Sequence, residues 1–271
     1  MCPNCRALVE RSASVCPFCG EKLRSPRARS SPGTAGRVLG VIPIPSTATS
    51  AIVAVTIALY GISWYMTATS APAQPSMGGI SGEVLLRLGA KSPYILYGQW
   101  WRLVTAIFLH AGLFHIGMNL WCLFDLGPEV ESLFSTAKFI VFYLVTGVVG
   151  FVLSLWWRPL GMSVGASGAV CGLIGILIGA SFHHGHLGKA YRGQLWRWVI
   201  YIAIFGIFLP IDNAAHFGGL IAGILLGYVV PEGEAETQAS QNLWNALAVL
   251  SVVIIAGSFA LMALQLGQPL R

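Results

Sequence analysis

Past about residue 50 the chain alternates long apolar runs with short polar breaks. The runs cover about Ala51–Thr69, Leu103–Leu126, Phe139–Trp157, Ser167–Phe182, Trp196–Leu209, Ile211–Val230 and Leu243–Leu266. Runs this long and this apolar predict membrane-spanning helices. The fourth and fifth fall short of the ~20 residues a full crossing needs, so their ends must extend into the loops or the bilayer must thin. The first run competes with a signal-peptide reading, since Ala71-Pro72-Ala73 mimics a cleavage site. The long polar, cysteine-bearing stretch upstream argues against it. Residues 70–101 form a long loop ending in Gln99-Trp100-Trp101-Arg102, side chains suited to a membrane–water interface. The expected fold is an all-α polytopic membrane protein.

Composition supports that class. The 271 residues are 55% hydrophobic and 10% charged, against about 25% charged in a soluble globular chain. The net charge of +6 is unevenly spread. Seven of the sixteen Lys and Arg residues precede residue 40, which is a basic segment ahead of the first span and no nucleic-acid stripe. With seven spans and the N-terminus inside, the inner segments also hold Lys138, Lys189, Arg192 and Arg197, and the outer ones hold Arg87, Lys91, Arg102, Arg158 and Arg271. The excess is inside, as the positive-inside rule requires. The expected location is a bacterial inner or cell membrane, multi-pass, with the N-terminus and residues 231–241 cytoplasmic.

Residues 1–24 read as a separate module. Cys2-Pro3-Asn4-Cys5 and Cys16-Pro17-Phe18-Cys19 are two CxxC pairs ten residues apart. Two such turns complete a tetrahedral shell of four thiolates for structural zinc, so the module resembles a small zinc ribbon. Two disulfides are the alternative, and a reducing cytoplasm favours zinc. Its role is structural or toward a cytosolic protein partner. Residues 25–45, rich in Pro, Gly, Ser and Arg, read as a basic flexible linker against the inner leaflet. Residues 46–231 then form the membrane core, and 232–271 a polar loop with the seventh span. Cys122 and Cys171, inside apolar runs, act as small hydrophobes.

Polar groups inside spans are costly and are functional candidates by default. Ser163-Val164-Gly165-Ala166-Ser167-Gly168-Ala169-Val170-Cys171-Gly172 opens the fourth span. His110, His115 and Asn119 lie in the second, and His216 in the sixth, with Asp212 and Asn213 near its outer end. These three spans share parity, so their polar residues meet at one depth, nearer the outer face. Gly168, Gly172, Gly175 and Gly179 form a small-residue stripe, and Gly219 and Gly223 share a face with His216. Two glycine-faced helices approach closely, which would bring Ser167 within reach of His216. A serine hydroxyl needs an adjacent base to attack. His216 is that base and would later donate the proton to a leaving amine. Asn119, His115 and the Ser167 backbone N–H are candidates for the oxyanion site. No carboxylate is placed as a third member, and Asp212 reads as a span-end residue, so a Ser–His dyad is expected.

The ordered set Trp101-Arg102, Phe108-Leu109-His110, His115, Asn119, Gly165-Ala166-Ser167-Gly168 and Ala215-His216-Phe217-Gly218-Gly219 with Gly223 resembles the rhomboid family of intramembrane serine proteases. The resemblance covers about residues 46–266. It implies a six-helix core, here with a seventh span, cleavage of transmembrane segments of other proteins in the bilayer, and no catalytic cofactor. It implies Ser167 as nucleophile, His216 as base, and His115 and Asn119 with backbone amides around the oxyanion. Arg102 matches a Trp-Arg motif in the first outer loop, and Glu131 a position that ties together the loop after span two. One departure is Cys171, where the family usually has an aromatic ring packed on the base.

Other polar groups have plainer readings. His110 reads as structural, nine residues from Asn119 and so on the opposite helix face. His183, His184 and His186 read as a solvated inner loop with no carboxylate beside them. Two competing functions remain: an inactive scaffold that binds membrane helices and presents the zinc ribbon, and a channel or transporter. The first would lack Ser167 or His216, and the second would favour carboxylates within the spans.

Overall fold

The apolar runs fold as helices, and much of what the breaks do is to fasten one helix to another. In the computed structural model the described residues are 46–70, 79–208, 211–233 and 237–266, with residues 17, 20, 37–38 and 42–43 ahead of them. The chain divides into two units, Met1–Ile44 and Pro45–Arg271. Of the first, an antiparallel pair of two-residue strands, Arg37–Val38 with Ile42–Pro43, is described. Cys2, Cys5, Cys16 and Cys19 lie outside the described residues.

The second unit is built of α1 (Thr47–Thr69), α2 (Gly82–Arg87), α3 (Arg102–Thr105), α4 (Leu113–Phe134), α5 (Thr136–Trp157), α6 (Ser167–Ala180), α7 (Gly185–Phe208), α8 (Asn213–Val229) and α9 (Gln238–Gln265). Three of these, α1, α5 and α9, are long and apolar enough to cross a membrane by themselves. At the centre stands α6, with every residue from Gly168 to Ala180 buried. Its 14 residues are enclosed by other helices, so it needs no lipid-spanning length, and its first turn can open inside the bundle. Helix α8 packs along it through glycines. A Cβ on Gly219 would meet the Gly168 carbonyl oxygen at 1.9 Å, and one on Gly223 the Gly172 oxygen at 2.0 Å. On the other side, a Cβ on Gly150 of α5 would meet the Ala215 oxygen at 2.7 Å.

The second apolar run departs from the expected single span. It breaks at residues 109–112, and the two pieces meet at 90°. Backbone groups of the break find partners outside the run, which offsets the lost helix bonds. Ile80 donates its N–H to the Ala111 oxygen at 2.9 Å, and the Gly165 N–H donates to the Ala106 oxygen at 2.9 Å. The helix proper then continues to Phe134, so Glu131 lies within α4 rather than in the loop after it. There its carboxylate accepts from the Ser46 hydroxyl, the Thr49 N–H at 3.4 Å and the Thr136 hydroxyl at 2.7 Å. It fastens the start of α1, where free N–H groups favour a negative charge. The fifth run also starts earlier than expected. Helix α7 begins at Gly185 and takes in most of the expected inner loop, tethered by Arg192, which donates to the Ser181 oxygen at 2.8 Å and lies over the Phe182 ring.

The loop between α1 and α4 packs Val84, Leu85, Leu88, Trp101 and Leu109 in a small core with Met262 of α9. Trp101 is 2% exposed, so it is a core residue and not an interfacial anchor; Trp100 beside it is exposed. Arg102 is buried too. It donates to Gln99 at 2.6 Å, to the Leu86 oxygen at 2.6 Å and to the Ala90 oxygen at 3.2 Å, between the Tyr94 and Trp101 rings. The guanidinium thereby holds the loop's turns together.

Candidate active site

Ser167 is the first residue of α6 because the chain before it is pinned in a shape that only glycine allows. Gly165 has φ +130°, and a Cβ there would lie 2.7 Å from His115 Nε2. The Gly165 N–H is held by Ala106, and the Ala166 N–H donates to His110 Nε2 at 3.5 Å. His110 sits in the break before α4 and not on the helix that carries Asn119, so the two do not share a helix with opposite faces. Its contact with Ala166 gives it an anchoring role. Further back, Ser163 and Lys91 exchange backbone hydrogen bonds of 3.0 Å in both directions. The first N–H groups of α6 have no partner within the helix.

His216 lies in the first turn of α8. Asp212 caps that helix, its carboxylate accepting from the Ala215 N–H at 3.1 Å and from the Ser154 hydroxyl. The cap fixes where α8 starts, and the glycine face fixes its distance from α6. The outcome is a separation of 2.7 Å between His216 Nε2 and Ser167 Oγ. His216 is 7% exposed. Its Nδ1 is buried, and among the described residues no carboxylate or other group hydrogen-bonds it.

From α4 the His115 ring reaches Gly165, next to Ser167 Oγ, and Asn119 lies one turn further along the same helix. His115 Nδ1 accepts from the Ala111 N–H at 3.4 Å, which leaves the proton of the neutral ring on Nε2, the atom against Gly165. Asn119 is buried and donates to the His115 carbonyl at 2.9 Å, which orients its amide and leaves a second N–H. A serine hydroxyl in contact with one imidazole thus lies close to a second imidazole, with both Ser167 Oγ and His115 Nε2 beside Gly165.

Cys171, one turn after Ser167, is buried. With His216, Val199, Ile202 and Phe217 it borders an apolar crevice of about 20 Å³. No aromatic ring pairs with the His216 imidazole among the described residues. Phe217 lies half exposed and does not take that place.

The protein-family model for the Rhomboid domain matches residues 97–233, just over half of the chain. The chain belongs to the rhomboid family. It is 36% identical over 152 residues to the rhomboid protease GluP of Bacillus subtilis (strain 168), covering 54% of this chain and 29% of GluP. It is 34% identical over 200 residues to RHOMBOID-like protein 6, mitochondrial, of Arabidopsis thaliana, covering 66% of this chain and 65% of that protein. It is 32% identical over 139 residues to YdcA of B. subtilis, covering 68% of that protein. The chain therefore spans less than two thirds of the first two relatives. As a rhomboid it is an integral membrane protein of a family that includes intramembrane proteases.

Two features of this rhomboid were not legible in its sequence. Lys91 looked like an ordinary loop charge, yet it is 1% exposed. Its ammonium donates to the carbonyls of Arg158 at 2.6 Å, Gly161 at 3.0 Å and Ser154 at 3.4 Å. It thereby caps the end of α5 and secures the loop that leads to Ser167. Burial holds its pKa below the usual lysine range, against the opposing pull of Asp212. The second is the histidine cluster. His184 meets the Glu232 carboxylate at 2.6 Å and His183 the Tyr228 oxygen at 2.9 Å, so a carboxylate does stand beside the cluster. Among the described residues no group of three or more His, Cys, Asp and Glu could hold a metal.

Proposed function

We propose that the chain is an intramembrane serine endopeptidase that cleaves transmembrane segments of single-span proteins near the outer face. The observation that carries this reading is the 2.7 Å contact between Ser167 Oγ and His216 Nε2 inside the bundle. The hydroxyl oxygen attacks the scissile carbonyl carbon while its proton passes to His216 Nε2. The resulting oxyanion is met by the Asn119 amide, His115 Nε2–H and the Ser167 N–H. His216 then gives its proton to the leaving amine nitrogen, the C–N bond breaks, and an ester on Ser167 remains. Water attacks that ester with its proton taken by His216, and Ser167 regains its hydrogen as the acid leaves. Each proton goes from one named atom to another, so the dyad needs no cofactor.

The N-terminus is cytoplasmic in this reading, because the basic residues gather there and in the inner segments. Cys2, Cys5, Cys16 and Cys19 hold structural zinc, a proposal resting on the two CxxC pairs alone. The seventh span, α9, adds to a rhomboid core of six. A model single-span substrate with a Gly- or Pro-weakened segment, mixed in detergent with the protein or with Ser167→Ala, tests the activity. Cleavage by the wild type alone is expected, and equal cleavage by both would eliminate the mechanism.

A further inference from the structure

We infer that α9 is a positioning element for the Ser167 site, acting through Phe259 and Met262 on the segment 101–110; this rests on the endopeptidase reading above. That segment is a four-residue helix followed by a 3₁₀ turn, Ala106–Phe108. Helical pieces so short do not hold their own shape and take their position from what they pack against. Yet this segment supports the site. The Ala106 oxygen and His110 Nε2 accept the N–H groups of Gly165 and Ala166, the two residues before the nucleophile.

Behind the segment stands α9. Phe259 meets Phe108 edge-on, ring centroids 5.7 Å apart. Met262 is buried in one cluster with Trp101 and Leu109. These contacts bracket the segment, at Trp101 on one end and at Phe108 and Leu109 on the other. The far end of α9 is fixed separately, Trp244 lying edge-on to Phe142 at 5.9 Å with the Lys138 ammonium over its ring. Between the two ends Ala248, Ser251 and Ser258 are buried on α9, and their small side chains admit close packing. Helix α9 is therefore held along its length, and its one end presses on the support of the Ser167 loop.

The consequence is geometric. A void beside Phe108 lets the 101–110 segment settle, because a packed interior collapses partly into any space left in it. The Gly165 and Ala166 amides move with it, and so does the Gly165 face against His115. The Ser167 N–H and hydroxyl, which follow those two residues, move with them, and a misplacement of about 1 Å can cost about 10²-fold in rate.

The test uses the full chain in detergent with four variants: Phe259→Ala, Met262→Ala, the conservative Phe259→Leu, and Val253→Ala as a control on a residue 60% exposed on the same helix. The expected result for Phe259→Ala is kcat down about tenfold with KM within about twofold. Phe259→Leu recovers most of the loss, and Val253→Ala matches the wild type. Hydrogen exchange at the Gly165 and Ala166 amides needs no catalysis and separates the two readings. Faster exchange at those amides in Phe259→Ala and not in Val253→Ala supports the positioning role even if the wild type cleaves nothing, in which case only the endopeptidase reading fails. Unchanged exchange in Phe259→Ala, or unchanged kcat of an active protein in both Phe259→Ala and Met262→Ala, overturns the inference.

Discussion

Gly219 of α8 lies so close to Gly168 of α6 that a methyl group on it would sit 1.9 Å from the Gly168 carbonyl oxygen. Backbone on one helix meets backbone on the next, with no side chain between them to yield. The contact involves the residue next to Ser167 and one a turn from His216, so it sets the distance between those two side chains. Gly219→Ala must force the helices apart. The expected result is a stability loss of about 2–4 kcal/mol and loss of cleavage, read by thermal unfolding and by turnover of a model substrate. Gly257→Ala on α9 has open space around it and is expected to leave both unchanged.

Lys91 is expected to matter for stability although it lies far along the chain from the dyad. Lys91→Ala strands three carbonyls that now share one ammonium, which costs about 2–4 kcal/mol. The same residue sets a pH dependence. Its pKa is lowered on folding, so between that value and the ordinary lysine value the unfolded chain binds more protons than the folded one. Stability contributed by this group therefore rises with pH across that window and is flat below it. Thermal unfolding between about pH 8 and 11, wild type against Lys91→Met, isolates the slope.

Asn119→Ala should act on rate rather than binding. Removing one oxyanion donor typically lowers kcat by about 10²–10³. KM is expected to change little, because in the proposed mechanism the amide meets charge that exists only in the transition state. Steady-state kinetics of the variant checks this, and a rise in KM with normal kcat would assign Asn119 to substrate binding instead.

The zinc reading has an independent check. Metal analysis of the full chain, purified in reducing buffer, is expected to give about one zinc per chain, lost when Cys16 and Cys19 are both replaced by Ser. A ratio near zero in the wild type rules the reading out.

The close approach of Ser167 to His216, 2.7 Å in the structure, was legible in the sequence. Ser167 and His216 sit beside glycine stripes on helices of equal parity, and both signals are local enough to read from spacing. The break at residues 109–112 was not legible, because the run stays apolar through it and the groups that replace its helix bonds come from Ile80 and Gly165. Glu131 was placed in a loop for a similar reason, since nothing in the sequence tells that its carboxylate caps a helix more than eighty residues earlier. Asp212 had a readable signal: Asp followed by an apolar helical run is a cap pattern. Lys91 had none, because a buried lysine and a surface lysine look alike until the carbonyls around it are placed. The His184–Glu232 contact likewise joins residues on two different helix ends.

Labelling with a fluorophosphonate probe tests the central geometry most directly, since the reagent reacts only with a serine whose proton a neighbour removes. The account predicts one modified site per chain at Ser167, lost in Ser167→Ala and reduced at least about a hundredfold in His216→Ala. Labelling at the wild-type rate in His216→Ala, or at a residue other than Ser167, would contradict it.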